Sequence, residues 1–555
     1  MIQEMVQKKN WLVSLVIVVL ALAALWIICP ICFQNNDDKV LMYLTAGYTT
    51  GTPEAGTVFG SFYYYGIIAL FYRIYSSLAW YTIFELGMVA ASLWIIATSF
   101  KSIIGKVAFI IMFLFCFMHF STALQYTATA GLVAGAAACS LIASMESEKL
   151  LESRFVIAVI MQVCAYGIRK QFGLVGFAAV LIIMLFQFFT ENGDSRRLVI
   201  KKAIIMIIAM VLAFGSNAIY EKAIGIAEFN EYYAQAGTWI DYPHLSYEED
   251  VNGVYASVGW DESLYNAASN WFFMDENLTT ENFATIVNAY QGADLTKREY
   301  VERAYNLILA SQVVNIQVVI WIALLLLVNI MALRKLINKK AILTIDALFG
   351  MFAVVSIYFL IQARFPMRAY QALVFIFFVP SVALMIQELS KLESKKPLIA
   401  TAGLMTVIMI AGFALKPDTN MVKYTYTVAH DIYREADINQ SNSLENYAIE
   451  HPDNMYIYDL SLALPADPFT VYKNGVPKNL VFWGGWVYNT PMYWKQIHAN
   501  GFDTLFIDQF VGGNVYFCGT EVSHTLIDYV TVRNPNVTVT RADEFDGIII
   551  YNFIH

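Results

Sequence analysis

Charge is what this chain of 555 residues has least of. Asp, Glu, Lys and Arg make up 14% of it, where a soluble domain carries roughly a quarter. The deficit is concentrated in long apolar runs, which excludes a soluble globular protein; hydrophobic residues reach 58% and the mean hydropathy is +0.54. No basic stripe offsets the formal net charge of −9, so nucleic acid is excluded as a partner. Cysteine is scarce as well. Five of the six, Cys29, Cys32, Cys116, Cys139 and Cys164, lie in apolar runs, and Cys518 has no disulfide partner in its polar segment. Cys29 and Cys32 have CxxC spacing, but no His or second pair accompanies them, and they read as packing residues. No small-residue cleavage site follows the first apolar run, Trp11 to Phe33, which reads as an uncleaved signal anchor. Two long stretches, 222–305 and 416–555, lack any long apolar run.

What is present points to a polytopic α-helical membrane protein. A helix of about twenty apolar residues crosses a hydrocarbon core of about 30 Å and satisfies its own backbone polar groups there. After the first run, further spans are expected near 78–99, 107–121, 124–145, 155–168, 170–190, 199–221, 306–333, 341–362, 367–388 and 397–415, about eleven in all. With the N-terminus cytoplasmic, about fifteen Lys and Arg fall in inner loops, and the short outer loops hold only Lys39, Arg73, Arg169, Lys170, Arg364 and Arg368. That asymmetry follows the positive-inside trend. Residues 59–77 would reverse it if they crossed, and their tyrosines suit a helix lying at the outer interface.

Four regions result: an N-terminal membrane domain (1–221) with an acidic first outer loop (34–77), an extracytoplasmic cap (222–305), further spans (306–415) and an extracytoplasmic soluble domain (416–555). The last alternates strand-like pieces (NMYIYDL, NLVFWGG, DTLFID, GIIIYNF) with helical ones around 441–450 and 490–500, which predicts a small α/β domain.

The chemistry-bearing residues cluster on the outer side. Asp37 and Asp38 follow the first span within about five residues, and Glu54 comes after Gly51-Thr52-Pro53. Adjacent carboxylates near a low-dielectric boundary repel, so one should have a raised pKa. Such a group can take a proton from a hydroxyl nucleophile or hold a cation; alternatively the pair merely ends a helix in water. Arg169 and Lys170 occupy one tight outer turn, and Arg364 and Arg368 flank Pro366 in another. Guanidinium groups at the hydrocarbon edge snorkel, pair with a carboxylate, or bind a phosphate bidentately.

The acidic pair after the first span, the YTTGTP turn, the aromatic interfacial helix, the many spans and the extracytoplasmic C-terminal domain together resemble the GT-C superfamily of membrane glycosyltransferases. More narrowly, the NDD…G-Y-T-x-G-x-P run, the IRKQF turn and the segment GWDESLYNAASNWFFMD (259–275) resemble a bacterial branch of multi-span proteins, mostly Gram-positive. The resemblance implies a GT-C-like fold and transfer of a sugar from a polyprenyl-phosphate donor to an extracytoplasmic cell-envelope glycan or protein acceptor. It implies an acidic base at Asp37 or Asp38, with Glu54 as helper, and a donor phosphate held by Arg169, Lys170, Arg364 and Arg368. Tyr48 and, in the cap, Trp260, Asp261 and Tyr265 would contact sugar or acceptor. Cap tryptophans, Trp271 and Trp239 among them, have the alternative of forming the cap's own core. No cofactor is implied with certainty, and the carboxylates leave a divalent cation open. Two rival functions stand beside the enzyme: a transporter or flippase of lipid-linked saccharides, and a non-catalytic polysaccharide-binding protein of the envelope.

Overall fold

A computed structural model describes residues 9–117, 122–242, 244–290, 325–331, 333–335, 337–362, 364–392, 435–463, 466–472, 475–504 and 509–555, with a few isolated positions between 298 and 403. The expected spans 306–333 and 397–415 lie largely outside these residues.

Helix α1 (Asn10–Ile28) stops five residues short of the expected end. Pro30 cannot continue a helix and biases the residue before it away from the helical region; Cys29 is extended, at φ −118° and ψ 129°. The chain then forms a two-residue strand, β1 (Cys32–Phe33). After it come α2 (Asn36–Ala46), α3 (Phe62–Ile74), α4 (Trp80–Thr98) and α5 (Ile103–Phe117). Strand β2 (Ala123–Leu124) pairs with β1 in parallel, Cys32 opposite Ala123. Next are α6 (Tyr126–Ser144), α7 (Ser153–Ile168), α8 (Lys170–Thr190) and α9 (Gly193–Ala223). Two more long helices, α14 (Lys339–Ile361) and α15 (Met367–Lys391), follow the cap. Among the described residues, seven helices are long and apolar enough to cross a membrane: α1, α4, α6, α8, α9, α14 and α15. Helix α3, within the expected interfacial stretch, has 13 residues, about 20 Å at 1.5 Å per residue. That is short of the hydrocarbon thickness.

Small residues decide which helix lies at the centre. All of α6, YTATAGLVAGAAACSLIAS, is buried, because Ala, Gly and Ser let neighbouring backbones approach closely. A Cβ on Gly131 would stand 2.5 Å from Ala372 Cα, and one on Gly135 2.5 Å from Phe375 O. Helix α9 shows the opposite pattern, exposing Ile207, Val211, Leu212 and Phe214 as a lipid-facing surface does. Two lysines counted as inner-loop charges are buried at helix ends. Lys106 Nζ donates to the carbonyls of Ala97 (2.7 Å) and Phe100 (2.6 Å), and Lys202 Nζ to that of Ser144 (2.8 Å). Cations there satisfy terminal carbonyls and oppose the negative end of the helix dipole.

The cap holds α10 (Ile226–Asp241), α11 (Val254–Ser257), α12 (Glu262–Ser269) and α13 (Thr280–Tyr290). Among the described residues of the C-terminal domain, the first element is α16 (Glu435–Glu450). Its five-stranded mixed sheet runs in the order β4 (Leu480–Phe482), β3 (Met455–Tyr458), β5 (Val515–Gly519), β7 (Ile548–Ile554), β6 (Thr538–Phe545). Strand β3 is parallel to β4 and β5, while β7 is antiparallel to β5 and β6. Helices α17 (Pro491–Ala499) and α18 (Thr525–Arg533) complete it. Strand β6 was not predicted because it is an edge strand, TVTRADEF, with mostly exposed positions and little apolar alternation to read. Of the predicted strand at DTLFID, residues 505–508 lie outside the described ones.

Gly131→Ala is expected to lower stability by about 1–3 kcal/mol, as overpacking does. Gly87→Ala, where nothing lies within 4 Å of the new Cβ, should be neutral or raise it by about 0.5–1 kcal/mol, as replacing a helical glycine does. Thermal unfolding of the solubilised protein measures both, and a Gly131→Ala protein melting like the parent would deny the tight α6–α15 contact.

Candidate functional site

The acidic pair begins a helix rather than ending one. Asn35 caps α2, its side chain accepting from the Asp37 backbone N–H at 3.2 Å, and both carboxylates sit in the first turn, where the helix dipole favours negative charge. Successive helical residues point about 100° apart, as 3.6 residues per turn require, so the two cannot face the same way. Asp38 turns inward and is fully buried. Its Oδ1 accepts from the Tyr81 hydroxyl at 2.7 Å and from the Tyr126 backbone N–H at 3.0 Å. Burial holds the Asp38 carboxyl well above the ordinary carboxylate range, the Glu85 carboxylate adds to this, and the Tyr81 hydrogen bond opposes it. Of the two causes expected from sequence, the low-dielectric surroundings dominate, and repulsion from Asp37 is a smaller contribution.

Asp37 faces the other way, into a cavity of about 770 Å³. Its Oδ1 accepts from the Trp486 indole N–H at 2.9 Å and its Oδ2 from the Asn35 amide at 3.2 Å. Trp486 belongs to the C-terminal domain, so that domain completes the surroundings of the carboxylate. The same cavity is lined by Arg169, Lys170, Arg364 and Arg368. Arg169 stands between α7 and α8 in an extended conformation. The turn is tied to the stretch before α3 by Ser61 N–H to Gly167 O (2.8 Å) and Lys170 N–H to Phe59 O (3.0 Å). The Arg169 guanidinium lies 4.1 Å from the Phe59 ring centroid and donates to the Tyr126 hydroxyl at 2.5 Å. Lys170 pairs with Glu221 at 2.5 Å, and Arg364 with Asp241 of the cap at 2.7 Å. Among the described residues neither Arg169, Arg368 nor Asp37 forms an ion pair. Five basic and two acidic side chains line the cavity, so its lining is net cationic.

The remaining predicted site residues lie elsewhere. Glu54 pairs with Lys495 at 2.7 Å and is not part of the cavity lining. Tyr48 is buried against Tyr43, Tyr72 and Tyr472. Trp260, 1% exposed, packs edge-on to Trp239 and Phe283 and donates to Asn277 O at 3.1 Å. Asp261 caps α12 through Leu264 N–H at 2.8 Å, and Tyr265 packs on Tyr255. Trp260, Asp261 and Tyr265 thus build the cap itself, which for Trp260 is the alternative left open for the cap tryptophans.

Five cap residues do reach the cavity: Asn230, Tyr233, Ala234 and Asp241 of α10, and Trp271. Trp271 has φ +66°, a left-handed conformation that is costly for a large side chain. A backbone junction holds it: Gly485 N–H donates to Trp271 O, and Phe273 N–H to Trp483 O, each at 3.3 Å. Gly484 permits this approach, since a Cβ there would meet Trp271 O at 1.8 Å. Trp486, Tyr126 and Phe59 were absent from the predicted site. Among the described residues no group of three or more His, Cys, Asp and Glu gathers as around a metal ion.

No family model and no curated protein matches the chain. Among solved structures, the crystal structures of ArnT from Cupriavidus metallidurans, one bound to undecaprenyl phosphate and one in the apo state, are similar to it. Each aligns over 98% of this chain and 98% of its own, at 10% identity and a TM-score of 0.40.

The raised Asp38 carboxyl has a signed consequence. Its contribution to stability is fully present below the unfolded value near 3.8 and is lost as pH rises through the folded value. Asp38→Asn keeps an acceptor for Tyr81 and Tyr126 and cannot ionise. It should therefore melt above the parent near neutral pH, the difference shrinking as pH falls toward 3.8. Melting curves that stay parallel across that range would show Asp38 to be unperturbed.

Proposed function

We propose that this protein is a membrane glycosyltransferase of the GT-C kind, moving a sugar from a polyprenyl-phosphate donor to an acceptor of the cell envelope on the extracytoplasmic face. The observation that carries the reading is the convergence of Asp37, Arg169, Lys170, Arg364 and Arg368 on one cavity, from three stretches far apart in sequence. A carboxylate opposite a cationic wall suits a reaction that removes a proton at one end and builds phosphate charge at the other.

In this reading Asp37 takes the proton of an acceptor hydroxyl as its oxygen bonds to the anomeric carbon. The bond between that carbon and the phosphate oxygen breaks, and the electron pair leaves on polyprenyl phosphate. Arg169 and Arg368, which carry no carboxylate partner among the described residues, meet the phosphate directly, and the planar guanidinium matches its oxygens. Arg364 and Lys170, each already paired, add to the cationic field behind it. Trp486 holds Asp37 in place through one hydrogen bond. Asp38 is a positioning residue, because it has no access to the cavity lining.

The test is release of labelled polyprenyl phosphate from a polyprenyl-phosphate sugar when an acceptor is supplied. Asp37→Asn should lose about 10²- to 10⁴-fold in kcat, the span typical of a general base, with its melting temperature unchanged. Arg368→Ala should raise the donor KM about ten- to hundredfold, as loss of a charged hydrogen bond does, and leave the acceptor KM alone. Full turnover by Asp37→Asn would remove the base, and an unchanged donor KM in Arg368→Ala would remove the phosphate site.

A further inference from the structure

Beside the large cavity lies a smaller one of about 70 Å³, between α2 and the sheet of the C-terminal domain. The two share Val40, Tyr43, Tyr458, Phe482 and Val487, so a group held in the first lies against the mouth of the second. The space equals about two waters at their liquid volume. Leu44, Leu480, Val481 and Met492 supply much of the rest of its wall, and no charged side chain lines it.

Two hydroxyls in this wall stand out. Thr49 Oγ1 and Tyr493 Oη are buried and have no hydrogen-bond partner among the described residues, and Tyr493 is only 3% exposed. Of the other polar members, Gln496 already donates to the carbonyls of Lys478 (3.0 Å) and Leu480 (2.9 Å), and the Tyr43 hydroxyl to Glu445 (2.9 Å). Buried hydroxyls in apolar surroundings are costly unless a partner arrives. An ionised group is a poor occupant, since no opposite charge would meet it. A bare hydroxyl would leave the aliphatic wall empty. What matches both the wall and the hydroxyls is a small neutral group with a methyl at one end and an amide or ester beside it.

The geometry points to a specificity subsite for an acetamido or acetyl substituent on the transferred or accepting sugar, with Thr49 and Tyr493 reading its polar atoms. The inference rests on the transferase reading for the sugar itself. Its chemistry is nevertheless separate from the phosphate site, because none of the four cationic residues assigned to the phosphate lines the smaller cavity.

The test uses soluble sugars, so that it does not depend on lipid phosphate. Methyl N-acetylglucosaminide and methyl glucoside are titrated into the purified full-length protein and observed by saturation-transfer NMR. The acetamido glycoside should bind about tenfold tighter, a factor that one or two hydrogen bonds supply, with the acetyl methyl taking more saturation than the ring protons. Tyr493→Phe and Thr49→Val each keep the shape and remove one hydroxyl. Each should cut the preference several-fold while leaving methyl glucoside binding as it was. Equal binding of the two glycosides, binding of neither, or a preference untouched by both substitutions overturns the subsite. A preference that persists in a protein with no affinity for polyprenyl phosphate leaves the subsite standing and removes the transferase reading instead.

Discussion

Asp38 is the residue on which the arrangement of the site depends. Its buried carboxyl takes hydrogen bonds from the Tyr81 hydroxyl and from the backbone at the start of α6. This fixes the first turn of α2 against the two helices beneath it. Because the neighbouring side chain points about 100° away around a helix, Asp37 is committed to the cavity. The opposite side of α2 is held by the C-terminal domain. Tyr43 donates to Glu445 at 2.9 Å, the Tyr472 hydroxyl lies 2.8 Å from the same Tyr43 oxygen, and Lys39 donates to Ser441 at 3.1 Å. An eleven-residue helix is too short to be stable alone in water; here tertiary contacts on two sides define it.

The cavity divides its cations into two kinds. Lys170 and Arg364 are matched by Glu221 and Asp241, while Arg169 rests on aromatic rings and a tyrosine hydroxyl. A guanidinium held by rings and hydroxyls keeps its full charge and several donors free for a ligand. Asp241 belongs to the cap and Trp486 to the C-terminal domain, so both units reach charged groups of the cavity. The junction at Trp271 and Gly484 joins those units to each other and places a strained tryptophan in the cavity wall.

The parts of this arrangement legible in sequence are those with short-range causes. Apolar runs marked the long helices, since crossing hydrocarbon needs about twenty apolar residues wherever they occur. Asp37, Arg169, Lys170, Arg364 and Arg368 stood out as polar residues at the edges of such runs, where burial of charge needs a reason. Glu54, Tyr48, Trp260, Asp261 and Tyr265 were named on the family resemblance and on aromatic and acidic composition, and they lie outside the cavity lining. Whether an aromatic or acidic residue faces a cavity or its own domain core depends on helix phase and on contacts hundreds of residues away. Trp486 is 449 residues from the carboxylate it touches, and nothing in its local sequence distinguishes it from Trp483, which stacks on Phe517 inside the sheet domain.

The sequence by itself determined that the chain is a polytopic helical membrane protein with extramembranous segments, because hydrophobic length and charge deficit are additive along the chain and need no partner to be read. It also singled out an acidic pair and two basic turns. Only the tertiary structure decided that Asp38 is buried while Asp37 is presented, and that two basic turns far apart in sequence share its cavity. It alone decided that the cap and the C-terminal domain close that cavity with Asp241, Trp271 and Trp486. Those outcomes come from the rotation of α2 about its axis and from long-range packing, where side chains remote in sequence compete for the same space.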